Sequence, residues 1–170
     1  MLPDLQLKLR HLDHDEWKVL RDARLNALGE SPQSFLAEYD QEEKYGQERW
    51  QTEFNRGDWI VGELGDRHVC LTGVTRESGA SRDERYLEYV WVAPDFRRRR
   101  TALNMLRHII GELEESGVRT VFLWTLWTRD GNDPAQLLYE RLHFITTNQR
   151  QRLESDPRGR WWERLRRDLI

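Results

Sequence analysis

Cysteine is almost missing from this chain of 170 residues. A lone Cys70 cannot close an internal disulfide or build a cysteine-based zinc site. Lysine is nearly as scarce, with Lys8, Lys18 and Lys44 standing against 24 arginines. Nowhere do about 18 apolar residues follow one another, which excludes a membrane-spanning helix. The opening MLPDLQLKLRH lacks the apolar stretch of a secretory signal, so a cytoplasmic, reducing setting is expected. A large excess of either charge is lacking too. The net charge of −3 contrasts with the strongly basic character usual in nucleic-acid-binding domains, and neither nucleic acid nor membrane is an expected partner. The five histidines, at 11, 14, 68, 108 and 143, do not have metal-ligand spacing, and no metal is expected.

What the chain does have is aromatic mass. Eight Trp, five Tyr and five Phe supply core volume to a sequence that is only 38% hydrophobic, which argues against disorder. The length fits one domain, 1–170. Charge is spread unevenly along it: residues 1–58 sum to −5 and residues 141–170 to +4. Four arginines, Arg97 to Arg100, stand in a row.

Periodicity places the elements. Residues 6–12 alternate and read as a strand. Asp13 with Glu16 forms a capping-box pattern before a helix carrying Trp17, Leu20, Ala23, Ala27 and Leu28, with Gly29 placed to end it. A second helix is expected over 39–55, with Trp50 and Phe54 inward. Two strand patterns around the turn Gly65-Asp66 make a hairpin, and Cys70 reads as a small core residue on it. A strand at 86–94 stops at Pro94, a helix runs from Thr101 to Gly117, and 118–127 is a continuous apolar strand of the buried parallel kind. Asp133-Pro134 opens another helix. Strands at 145–153 and 160–168 flank the turn Asp156 to Gly159, and adjacent Trp161 and Trp162 on the last strand must face opposite ways. The expected fold is a three-layer mixed α/β domain with about four helices. Its sheet is mostly antiparallel, with one parallel strand–helix–strand crossover over 86–127.

The segment VWVAPDFRRRRTALNML, 90–106, carries the chemistry. A strand ends at a proline, a basic loop follows, and a helix starts. A helix N-terminus presents unpaired N–H groups and the positive end of its dipole, a ready phosphate site. Arginines there add bidentate contacts, so a diphosphate-bearing ligand is the natural guess.

With Val92-Ala93-Pro94, then Arg97 to Ala102, then Leu103 to Leu106, the segment resembles the signature of the GNAT superfamily of N-acetyltransferases. A second element agrees: Asn132, Ala135, Leu138, Tyr139 and Phe144 follow that family's downstream pattern. Arg98, Arg100 and His143 depart from it, each standing where the family commonly has glycine. The resemblance implies a GNAT-like fold, acetyl-CoA as co-substrate and transfer of an acyl group to a primary amine of a small molecule or peptide. It implies that the backbone of Val90, Trp91 and Val92 pairs with the pantetheine arm and that one amide there polarises the thioester carbonyl. Residues Arg97, Arg98, Arg99, Arg100, Thr101 and Ala102 would hold the pyrophosphate, and Asn132 the CoA arm. Tyr139 would protonate the leaving thiolate, and Glu88 would take the acceptor's proton, directly or through water. A homodimer is a common arrangement for such folds.

Other readings stay open. Tyr139 also reads as core, Glu88 as an exposed or salt-bridged strand residue, and Asn132 as part of a helix start. Arginine in place of glycine adds bulk to the loop. Beside ordinary acetyl-CoA binding stands a degenerate module that binds a phosphate-rich partner, or a transferase using another donor such as a carrier-protein phosphopantetheine or an aminoacyl-tRNA.

Overall fold

The computed structural model describes residues 6–154 and 156–169. The first five residues, Ser155 and Ile170 lie outside them. Seven strands and five α-helices are found among the described residues: β1 (Lys8–His11), α1 (Trp17–Glu30), α2 (Tyr39–Glu42), α3 (Gln47–Phe54), β2 (Gly57–Leu64), β3 (Arg67–Thr75), β4 (Glu84–Val92), α4 (Thr101–Glu115), β5 (Thr120–Leu126), α5 (Pro134–Arg141), β6 (Ile145–Arg152) and β7 (Trp161–Asp168). The fold is mixed α/β. The chain divides into two compact units, one of residues up to Thr75 with Tyr89–Ala102, the other of Arg76–Glu88 with residues from Leu103 on. β4 and α4 each contribute to both.

In the first unit β1, β2 and β3 form an antiparallel array, with Lys8 opposite Glu63 and Gly57 opposite Thr75. Trp59 lies opposite Gly73, and a Cβ at Gly73 would stand 2.5 Å from the Trp59 ring. Glycine is needed there for the ring to lie flat on the strand. α1 buries Leu20, Ala23, Arg24, Ala27 and Leu28, the one-sided stripe of a helix on a core. That core also takes Phe35, Phe54, Val61, Val69, Leu71 and Trp91.

Two boundaries differ from expectation. The helix expected over 39–55 is two helices, because Gly46 is extended (φ −77, ψ 176) and serves as N-cap of α3, which gives five helices rather than four. α1 runs through Gly29 to Glu30. At its start half of the expected capping box forms: the Asp13 N–H donates to Glu16 Oε1 at 3.3 Å, while Glu16 is the capping residue.

In the second unit β4 and β5 pair in parallel, Glu84 to Leu87 opposite Thr120 to Leu123. β5 also pairs with β7, and β7 with β6, both antiparallel. α4 buries Leu103, Met105, Leu106, Ile109 and Ile110, and Gly117 (φ 90) ends the turn after it. β6 is mostly exposed and polar, with a register shift between Thr146 and Arg150, the usual protection of a free strand edge. Trp162 is buried and Trp161 is 45% exposed, as their alternation requires.

Candidate functional site

The turn from β4 to α4 is tied down at several points within the first unit. The Ala93 N–H donates to the Val69 carbonyl at 2.8 Å, fixing the strand's end on β3. A 3-10 turn over Pro94–Phe96 follows, and Thr101 Oγ1 donates to the Phe96 carbonyl at 3.0 Å. Arg67 grips Asp95 with two bonds of 2.6 and 2.7 Å, and that contact holds the Asp95 carboxyl below its usual range. The guanidinium groups of Arg67 and Arg99 lie 5.5 and 5.8 Å from the Phe96 ring.

The four arginines divide into one brace and three outward heads, of which Arg99 lies against Phe96. Arg97 Nε donates to the Val92 carbonyl at 2.9 Å, and its Nη2 donates to Ser31 Oγ at 2.8 Å, just past the end of α1. Its guanidinium thus braces the strand end, while its side chain stays partly exposed. Arg98, Arg99 and Arg100 are exposed.

Both Arg98 and Arg100 have φ of 61, the left-handed region. These are the two positions at which glycine was anticipated, so the loop keeps a glycine conformation with arginine in it. Among the described residues, the N–H groups of Arg98, Arg99, Arg100 and Thr101 reach no carbonyl of the chain. Left-handed residues beside a helix start form an anion-binding nest of such donors. An arginine held left-handed costs roughly 1–2 kcal/mol. Arg100→Gly should therefore raise the unfolding free energy by about 0.5–1 kcal/mol, once about 0.5–1 kcal/mol for glycine's greater unfolded freedom is deducted. Urea titration measures it; a loss of stability would mean that the Arg100 side chain holds the loop.

On β4 in the same unit, Val90 is half-buried and Trp91 and Val92 are buried. The Trp91 indole N–H is buried without a partner among the described residues. Just before them stands Tyr89, which the sequence did not single out, with φ of 53 in the middle of a strand. Its hydroxyl donates to Glu42 Oε1 and accepts from Arg24 Nη2, each at 2.8 Å. Arg24, 1% exposed, also bonds Glu42 directly and Glu53 Oε2 at 3.2 Å. Its guanidinium lies 4.2 Å from the Tyr89 ring, 5.1 Å from Trp50 and 5.5 Å from Trp59. Burial opposes its charge, but Tyr89, Glu42 and Glu53 more than compensate and hold it protonated. Trp50 and Trp59 are consumed in this packing and wholly buried, so they are not surfaces for an acceptor. The sequence signal for Arg24 was its place on the apolar stripe, four residues after Leu20 and three before Ala27.

The remaining candidates belong to the second unit. Glu88 is half-buried on β4. Asn132 is exposed, one residue before Asp133, whose side chain caps α5 by accepting from the Ala135 N–H at 2.9 Å. Tyr139 is buried on α5, its ring edge-on to Phe144 at 5.8 Å. Burial raises its phenol above the ordinary value, with Asp133 adding to the effect. Its hydroxyl has no hydrogen-bond partner among the described residues. His143 (φ 63) ends α5 in the left-handed conformation, with its own N–H bonded to Glu140 and that of Phe144 to Tyr139, both at 3.0 Å. Among the described residues no three His, Cys, Asp or Glu come together as metal ligands, and Cys70 is buried with its thiol pushed up to about 12.

Set against known proteins, residues 15–144 match the model of the "Acetyltransferase (GNAT) family". No curated protein sequence matches. Among solved structures the chain is similar to a GNAT-family acetyltransferase from Streptococcus pneumoniae, with 16% identity, 97% and 100% of the two chains covered and a TM-score of 0.77. It is also similar to the ribosomal-protein-S18-alanine N-acetyltransferase of Escherichia coli (16% identity, 96% and 94% covered, TM-score 0.70). A third is the ribosomal-protein-alanine N-acetyltransferase of Brucella melitensis (18% identity, 95% and 99% covered, TM-score 0.70). At such identities the likeness is one of fold.

Proposed function

This chain belongs to the GNAT family of acetyltransferases, and we propose that its donor is acetyl-CoA and its acceptor a primary amine of a small molecule or a peptide. It is an acyltransferase, and the family chemistry is transfer to an amine. The family generally uses a CoA thioester. The observation that carries the donor assignment is the loop after β4, which keeps left-handed backbone at Arg98 and Arg100 and leaves N–H groups free at the start of α4. Charge-assisted contacts from Arg98, Arg99 and Arg100, with the N–H groups of Thr101 and Ala102, suit a pyrophosphate. Arg97, which also braces the loop, is proposed to join them.

The remaining roles follow from the family pattern. Val90, Trp91 and Val92 offer backbone to the pantetheine arm, and an amide among them polarises the thioester carbonyl. Asn132 contacts the arm. Glu88 takes a proton from the acceptor ammonium; the free amine then forms the C–N bond as the C–S bond breaks, and the second proton shed by its nitrogen passes to water, from which Tyr139 regains its own. Tyr139 gives its proton to the departing thiolate. A phenol raised by burial is in the right protonation state for that task. The transferase domain is proposed to comprise all of 1–170, supported by a family match that draws on residues of both units. A single buried cysteine suits a reducing cytoplasm, and among the described residues no helix is long and apolar enough to cross a membrane.

Titration calorimetry with acetyl-CoA at low salt tests the donor assignment. Saturable heat in the micromolar range is expected. No heat at high micromolar concentration would overturn it and leave the reading of a phosphate-rich partner or another acyl donor. Sedimentation of the same sample reads whether the chain is the homodimer common among such folds.

A further inference from the structure

Among the described residues Tyr89 is the bulkiest held in the left-handed region, and it sits inside a strand. Such a backbone is strained and persists where its surroundings over-determine it. Here the surroundings do. Three helices of one unit send polar groups to the same point: Arg24 from α1, Glu42 from α2 and Glu53 from α3. Arg24 and Glu42 hold the Tyr89 hydroxyl from two sides, each at 2.8 Å. The ring stacks on Phe35 at 5.7 Å and tilts against Trp59 at 5.9 Å. Arg24, Glu42 and Glu53 are 1%, 3% and 7% exposed, so little water competes for these bonds. The peptide that follows carries Val90, first of the three residues given the donor's arm and carbonyl above.

We propose that Tyr89 is a positioning residue for acyl transfer, its hydroxyl clamped by Arg24 and Glu42 so that the left-handed kink of β4 fixes the direction of the Val90 amide. The proposal rests on the acetyl-CoA reading of the same site. A core that merely needed filling has no use for a phenol oxygen bonded to two buried charges; phenylalanine would serve. A carbonyl-polarising amide, by contrast, is useful only when its direction is set before the donor arrives.

The test is isotope-edited infrared spectroscopy of acetyl-CoA labelled with carbon-13 at the thioester carbonyl, bound to the full-length protein. Bound to the unaltered chain, the carbonyl band should lie below its position in water. Tyr89→Phe removes one oxygen; the band should return most of the way to the free position while donor affinity stays within about twofold and turnover falls about tenfold or more. Glu42→Gln keeps an acceptor for the hydroxyl and should hold the band down, whereas Glu42→Leu should release it. That pair decides the matter if Tyr89→Phe does not fold. A band that stays put in both Tyr89→Phe and Glu42→Leu overturns the role of Tyr89 and leaves donor binding standing. Failure of the unaltered protein to bind the donor overturns both.

Discussion

Arg24→Met should remove about 3–5 kcal/mol of unfolding free energy, the cost of leaving buried carboxylates without their counter-charge. Methionine matches the length of the arginine stem, so volume is not the main loss, although the guanidinium's contacts with the Trp50 and Trp59 rings go with the charge. What is lost is the partner of Glu42 and Glu53, both nearly sealed from water. Glu53 keeps Arg56 Nε at 3.1 Å and Arg49 Nη2 at 3.1 Å, both on more exposed side chains. Glu42 keeps the Tyr89 hydroxyl but no charge among the contacts described above. Against a total of roughly 5–15 kcal/mol for an ordinary domain, such a loss brings unfolding close to ambient temperature. Urea titration measures it. The triple change Arg24→Met, Glu42→Leu, Glu53→Leu should recover most of the loss, because removing all the charges also removes the desolvation burden. A single variant that costs less than about 1 kcal/mol would show that water reaches the network.

Tyr139→Phe should lower turnover about a hundredfold and leave stability nearly untouched. The two halves of that expectation have separate causes. The hydroxyl has no hydrogen-bond partner among the described residues, so its deletion breaks no bond within the fold. The ring, which carries the packing against Phe144, remains. Turnover falls because the departing thiolate must then take its proton from water. Because burial holds the phenol above its ordinary value, alkaline loss of this proton should set in only above the usual phenol range. Initial rates of thiol release, with whichever amine an acceptor screen identifies, give the answer. An unchanged rate removes Tyr139 from the acid role.

Much of the fold was legible because this chain punctuates its elements. Pro94 stops β4, Asp133-Pro134 opens α5, Gly117 follows α4, and the alternation at Trp161-Trp162 states which face is inside. The break at Gly46 was not legible, since one glycine inside a helical pattern is tolerated as often as not. Arg24 escaped notice for a different reason. Composition counts arginine as surface, and its burial is intelligible only once α2 and α3 bring Glu42 and Glu53 to it from 18 and 29 residues away. Tyr89 is harder still: a strand pattern gives no sign that one member has positive φ. For the site, residue types are what suggest a phosphate loop. The separation of Arg97 from its three neighbours depends on Ser31 and Glu30, partners some 66 residues distant in sequence.

The three outward arginines have a consequence for the pace of capture. The chain as a whole is anionic at −3, so a polyphosphate approaching from afar meets mild repulsion. Attraction takes over only near Arg98, Arg99 and Arg100, within roughly one screening length, about 8–10 Å at physiological ionic strength. Steering of this kind is local, and added salt weakens it along with the association rate. On the proposed acetyl-CoA reading, the loop's backbone sets where the phosphates rest, and its exposed arginine side chains govern how often they arrive.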